Sequence, residues 1–99
     1  MAQFDIHQVR GGVALDCQAN IFERMPTRFV VPLEAVEPSL IVSDRLNPRF
    51  RLQEDEVVMV TQLAGTIRTR DLGPRIGCLT TERDQRAVQR ALDMLTTGV

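Results

Sequence analysis

Few side chains in this 99-residue sequence have the chemistry of a catalyst. His7 is the only histidine, in a stretch where Phe4 and Ile6 alternate with Asp5 and His7. If Phe4 and Ile6 face inward on a strand, His7 faces solvent and reads as a surface residue. The only serines, Ser39 and Ser43, have no nucleophile-elbow glycines around them. Cys17 falls on the apolar side of its segment and reads as a buried structural thiol. With Cys78 it makes two cysteines without metal-ligand spacing, too few for a disulfide framework, so both are expected to be reduced. Glu54, Asp55 and Glu56 resemble an acidic metal cluster, but consecutive residues point in different directions and a solvated turn is the reading. Gly11-Gly12 and Gly65 lack both the spacing and the lysine of a phosphate loop. The expectation is a protein that binds rather than reacts, with no metal and no cofactor.

Charge offers one alternative. All twelve basic residues are arginine, against thirteen acidic ones, for a net charge of -1. Arg49 and Arg51 on one strand, with Arg68, Arg70 and Arg75 around one loop, could grip phosphates. No Trp or Tyr is present to stack on bases, and the near-neutral balance argues against a broad nucleic-acid footprint.

The elements that would position these residues follow from periodicity. From Asp84 to Thr97, Ala87, Val88, Ala91, Leu92, Met94 and Leu95 fill one arc of roughly 160° at about 100° per residue, which makes an amphipathic helix. Thr81 and Asp84 form a capping pair, Glu82 and Asp84 favour the N-terminal dipole, and Gly98 marks the end. Alternation on either side of Gly11-Gly12 predicts a hairpin, and Arg49–Leu52 with Val57–Thr61 predicts a second. Phe29-Val30-Val31 reads as a strand buried on both faces, confined by Pro32 to an edge or an end. Leu40-Ile41-Val42 has similar character, Ala64–Ile67 is a short strand, and Thr69–Gly77 is a loop. Ile21 and Phe22, adjacent in a polar connection, need a core pocket or a partner, and a loop folded over its own core is the simpler reading. One domain spanning 1–99 is expected, with α+β architecture: a mainly antiparallel sheet or small barrel, the helix against one face or opening. No apolar run reaches a membrane span and no signal peptide is recognisable, so a cytoplasmic protein is expected.

The start Met1-Ala2-Gln3-Phe4, the segment Arg28-Phe29-Val30-Val31-Pro32-Leu33, the Leu72-Gly73 loop and a terminal helix ending in Gly98-Val99 occur together in this order. That combination resembles the CcdB family, the toxins of toxin-antitoxin modules, over essentially the whole chain. The resemblance implies a five-stranded antiparallel sheet with a further small sheet and a C-terminal helix, a fold shared with the Kid and MazF toxins. It also implies a homodimer that binds the A subunit of DNA gyrase, traps its cleaved-DNA complex, performs no chemistry itself and is neutralised by a CcdA-like antitoxin.

Carried over position by position, the gyrase-binding residues are Ala19, Ile21 and Phe22 in the loop and Asp93, Thr96, Thr97, Gly98 and Val99 in the helix. The expected dimer interface gathers Ile21, Phe22, Met94, Leu95 and Val99 near one end. Thr96 and Thr97 stand where the family has an aromatic residue and a tryptophan. Such anchors are each worth about 2 kcal/mol or more, so their loss weakens binding by well over tenfold. The alternatives are a homologue redirected to another protein target and, from the shared MazF fold, an endoribonuclease using Arg49, Arg51, Arg68, Arg70 or Arg75.

Overall fold

A computed structural model describes all 99 residues, 1–99. The chain begins with a hairpin of β1 (Asp5–Val9) and β2 (Gly12–Asp16), in which Ile6 pairs with Leu15 and Val9 with Gly12. Gly11 turns it at φ 85, a conformation that glycine adopts freely. β3 (Thr27–Ala35) follows, then β4 (Arg49–Leu52), β5 (Asp55–Met59), β6 (Gly65–Arg68), β7 (Arg75–Cys78) and finally α1 (Glu82–Thr97). All strand pairings are antiparallel, in the order β4-β5-β3-β2-β1-β7, with β6 added to the free edge of β3. The result is a curled half-barrel with one C-terminal helix, an α+β architecture. The small extra sheet expected from the resemblance is joined to the main one through β3.

One face of the sheet carries Ile6, Leu15, Val31, Leu33, Phe50 and Met59, and Val88 and Ala91 of the helix complete this core. The helix is built as its sequence prescribes. Thr81 caps it by accepting from the Asp84 N–H at 3.1 Å, and Gly98 closes it in the left-handed region at φ 82 with its N–H on the Met94 carbonyl.

Five expectations change. Pro32 lies in the middle of β3, the strand with the most neighbours. It is tolerated because β3 changes partner there, from β6 at Val30 to β5 at Leu33, so the missing N–H falls at the changeover. Leu40-Ile41-Val42 is not a strand; Pro38–Leu40 makes a 3-10 turn and Val42 is exposed. The segment 69–77 is not all loop, because Arg75 and Gly77 pair with β1 and a 3-10 turn covers Thr69–Asp71. In the second hairpin, Gln53 and Glu54 make the turn and Asp55 and Glu56 already belong to β5, all of them exposed.

His7 is the fifth. It is 4% exposed, not on the surface. The 69–74 segment closes over its face of β1: Gly73 N–H donates to the Gln8 carbonyl at 2.7 Å and Gln8 N–H to the Pro74 carbonyl at 2.9 Å. A Cβ on Gly73 would lie 2.6 Å from the Gln8 carbonyl oxygen, so only glycine fits that crossing.

Candidate functional site

Beneath that crossing, His7 Nδ1 lies 3.0 Å from the Gly73 carbonyl, which can only accept, so the ring donates from Nδ1. Nε2 is buried with no partner. A base so enclosed has no route to a substrate, and His7 fixes the loop over β1. Further along the same strand, Asp5 is 7% exposed and accepts from Ala2 N–H at 2.9 Å and from Arg75 Nε at 3.0 Å. The hydrogen bond and charge of Asp5 together hold Arg75 more firmly protonated than usual.

Asp16 and Arg28, which no sequence motif singles out, form an ion pair with both side chains 0% exposed. Arg28 Nε donates to Asp16 Oδ2 at 2.9 Å and Nη2 lies 2.6 Å from the same oxygen, while Oδ1 accepts from Gln18 N–H at 3.0 Å. Such a pair locks β2 to β3 but meets no ligand. Next to Asp16, burial and the Asp16 charge push the Cys17 thiol up to about 12, which keeps it an unreactive thiol as expected.

The exposed features lie elsewhere. Ile21 is 83% and Phe22 52% exposed, so the connection is not folded over its own core. Asn20–Phe22 is a 3-10 turn held at its base by Gln3 N–H on Asn20 Oδ1 at 2.8 Å and Gln18 Nε2 on the Phe22 carbonyl at 2.9 Å, with Ala19 exposed beside it. The helix end is fastened from another part of the chain. Ser43 Oγ lies 3.9 Å from Met94 Sδ, and the Arg45 guanidinium donates to the Val99 carbonyl. Loop and helix end are therefore separately anchored apolar surfaces, one presenting Ile21 and Phe22, the other Leu95 and Val99.

At the helix end both threonine hydroxyls turn back on the helix. Thr97 Oγ1 donates to the Asp93 carbonyl at 2.7 Å and Thr96 Oγ1 to the Leu92 carbonyl at 3.1 Å. Asp93 is engaged by Gln89 Nε2 at 3.0 Å. All of Asp93, Thr96, Thr97, Gly98 and Val99 are exposed, and Met94 is partly covered.

Two of the surface concavities are lined by arginine. A groove of about 710 Å³ runs between α1 and the 44–48 segment, lined by Arg45, Arg83, Arg86 and Arg90 with Asp44 and Glu82. These are not the arginines that the sequence singles out. Of those, Arg49 is paired with Glu56 and Arg75 with Asp5, while Arg51, Arg68 and Arg70 are exposed and in no ion pair. The signal available in the sequence is the spacing of Arg83, Arg86 and Arg90, which share one helical stripe. On another side a cleft of about 490 Å³ brings Arg10, Thr66 and Asp71 around the apolar Val9, Ala14, Val30 and Leu63.

Residues 3–98 match the profile of the CcdB protein family, and the chain belongs to that family. No curated protein sequence matches it. Its structure is similar to that of an endoribonuclease in complex with its cognate antitoxin from a mycobacterial species, with a TM-score of 0.81, 12% identity and coverage of 97% of this chain and 94% of that one. An endoribonuclease from a mycobacterial species aligns at 0.80, with 12% identity and coverage of 97% and 90%. An Mtb toxin aligns at 0.70, with 15% identity and coverage of 88% and 94%. At these identities the likeness is one of fold. It nevertheless corrects the expectation of a protein without enzymatic chemistry, because structures built on this same fold are endoribonucleases. No helix is long and apolar enough to cross a membrane.

Proposed function

We propose that this protein is the toxin of a toxin-antitoxin pair and that its helix end, with the 19–22 loop, is the surface that meets the A subunit of DNA gyrase. The observation that carries the reading is the ordered, exposed terminus of α1: Gly98 in its left-handed cap, Val99 71% exposed and tethered through Arg45, and Leu95 43% exposed beside them. Membership of the CcdB family supports it. The hydroxyls of Thr96 and Thr97 are occupied by the helix and offer a partner no aromatic anchor. Binding by the unmodified protein is accordingly weak, and Thr97→Trp strengthens it at least about tenfold, with Thr96→Phe adding to it. The measurement is direct binding of each variant to the gyrase A dimerisation region. A folded Thr97→Trp protein that still does not bind removes gyrase as the target. A CcdA-like antitoxin and a twofold homodimer belong to the same reading; a monomeric mass in light scattering at tens of micromolar would exclude the dimer.

The cleft at Arg10, Thr66 and Asp71 favours a second reading, cleavage of RNA, as in the endoribonucleases of the same fold. In RNA cleavage the 2'-oxygen attacks the neighbouring phosphorus and the P–O5' bond breaks; Asp71 is the group to take the 2'-hydroxyl proton and return it to the leaving 5'-oxygen, and Arg10 the one to stabilise the developing phosphorane charge. Incubation with RNA separates the readings. Cleavage that Asp71→Asn and Arg10→Ala both abolish establishes the second, and uncut RNA with gyrase-dependent DNA cleavage establishes the first.

A further inference from the structure

The arginine groove lies outside both readings except at Arg45, which also tethers Val99, and its chemistry is specific. Arg83 and Arg90 have no carboxylate within ion-pairing distance, whereas Arg86 is paired with Glu82 and the Arg45 guanidinium donates to a terminal oxygen of Val99. Arg83, Arg86 and Arg90 occupy one stripe of α1 over a rise of about 10 Å, and Arg45 faces them from the 44–48 segment. Four guanidinium groups against the carboxylates of Asp44 and Glu82 leave a net positive trough on a protein whose overall charge is -1. Arg83 and Arg90, unpaired on one stripe of the helix, gain from an anion laid along the groove.

We infer that this groove binds the phosphate backbone of a single nucleic-acid strand, independently of the gyrase surface and of the cleft at Asp71. Guanidinium groups match phosphate oxygens in a bidentate fork. A stripe of about 10 Å spans roughly three phosphates at the ~3.4 Å rise of a stacked strand. An acidic peptide that folds on binding would need apolar pockets to hold its side chains, and Ala87 and Pro48 are the only apolar surface in the lining. Without an aromatic residue to stack bases, the groove reads phosphates alone, blind to sequence and to the 2'-hydroxyl.

Fluorescence anisotropy of the full chain with labelled rU20 and dT20 tests the inference. Both strands bind, within about threefold of each other, with a log-log salt slope of about -1.4, as expected for the two unpaired arginines Arg83 and Arg90 on a single strand. Arg83→Glu/Arg90→Glu, on the exposed face of α1, weakens binding at least tenfold while leaving thermal unfolding unchanged. Arg68→Glu/Arg70→Glu, on the far loop, leaves binding as it was. A poly-glutamate 20-mer competes at least tenfold more weakly than rU20. The inference is overturned if the wild-type chain binds neither strand, if the groove variant binds as wild type, if the loop variant is the one that loses binding, or if poly-glutamate competes equally. Gyrase binding by Thr97→Trp and RNA cleavage are read in separate assays, so failure of either leaves this result distinct.

Discussion

Arg28 and Arg83 are chemically identical and physically opposite. Arg28 is sealed between strands with its charge balanced by one aspartate, while Arg83 stands in an open groove with no carboxylate paired to it. The buried arginine is held by the fold, and its removal acts on stability. The exposed one is held by nothing and acts only on what arrives from outside. Burial decides which arginine is structural, although charge, residue type and even strand or helix propensity do not distinguish them.

The largest effect should come from the sealed side. Arg28→Met leaves Asp16 charged and unpaired inside the sheet, for a loss of about 3–5 kcal/mol in denaturant unfolding. Arg28→Met combined with Asp16→Leu should recover most of that loss; if it does not, the pair does more than balance charge. The neighbouring Cys17 gives a pH test. Its thiol is raised above its ordinary value to about 12, so the folded protein holds the proton that the unfolded chain releases first. Stability from this group is complete below about pH 9 and falls between about 9 and 12, by up to about 1.4 kcal/mol per pH unit. Cys17→Ala should flatten that part of the alkaline unfolding profile.

Effects on the helix should be smaller. Thr81→Ala removes the oxygen that caps Asp84 N–H, at about 1 kcal/mol, visible as a lower unfolding midpoint with unchanged gyrase or nucleic-acid binding. Smallest of all is Arg86→Ala. Its pair with Glu82 is 72% and 77% exposed, so stability should change by less than about 0.5 kcal/mol. A loss comparable to that of Arg28→Met would erase the distinction between the two kinds of arginine.

The helix is legible in the sequence almost residue by residue, because a 16-residue amphipathic pattern with a cap at each end leaves little for tertiary context to alter. The two hairpins are legible for similar local reasons. His7 is not, because its environment comes from Gly73, 66 residues away, and no local pattern carries such a contact. Asp16 and Arg28 each look like an ordinary polar residue at the end of an apolar run; only the sheet register brings them together. Ile21 and Phe22 are recognisable as needing cover, and the structure leaves that need unmet. The arginine groove is hidden for a different reason: Arg45 joins the helix stripe only through the turn at Ser43–Asn47.

Pro32 has one more effect. A strand that slides by one residue exposes its core side chains and is rejected for that reason, but a slide by two keeps every side chain on its proper face. Hydrophobic pattern alone therefore permits β5 to creep along β3 toward the place that β6 occupies. Pro32 removes that freedom. Its carbonyl accepts from Val60 N–H at 3.0 Å, so its nitrogen faces the same edge with no hydrogen to offer. Any shifted alignment would set a β5 carbonyl against that nitrogen and leave it without a donor. The residue that looks like an interruption works as a key, admitting β5 and β6 to a shared edge in a single alignment.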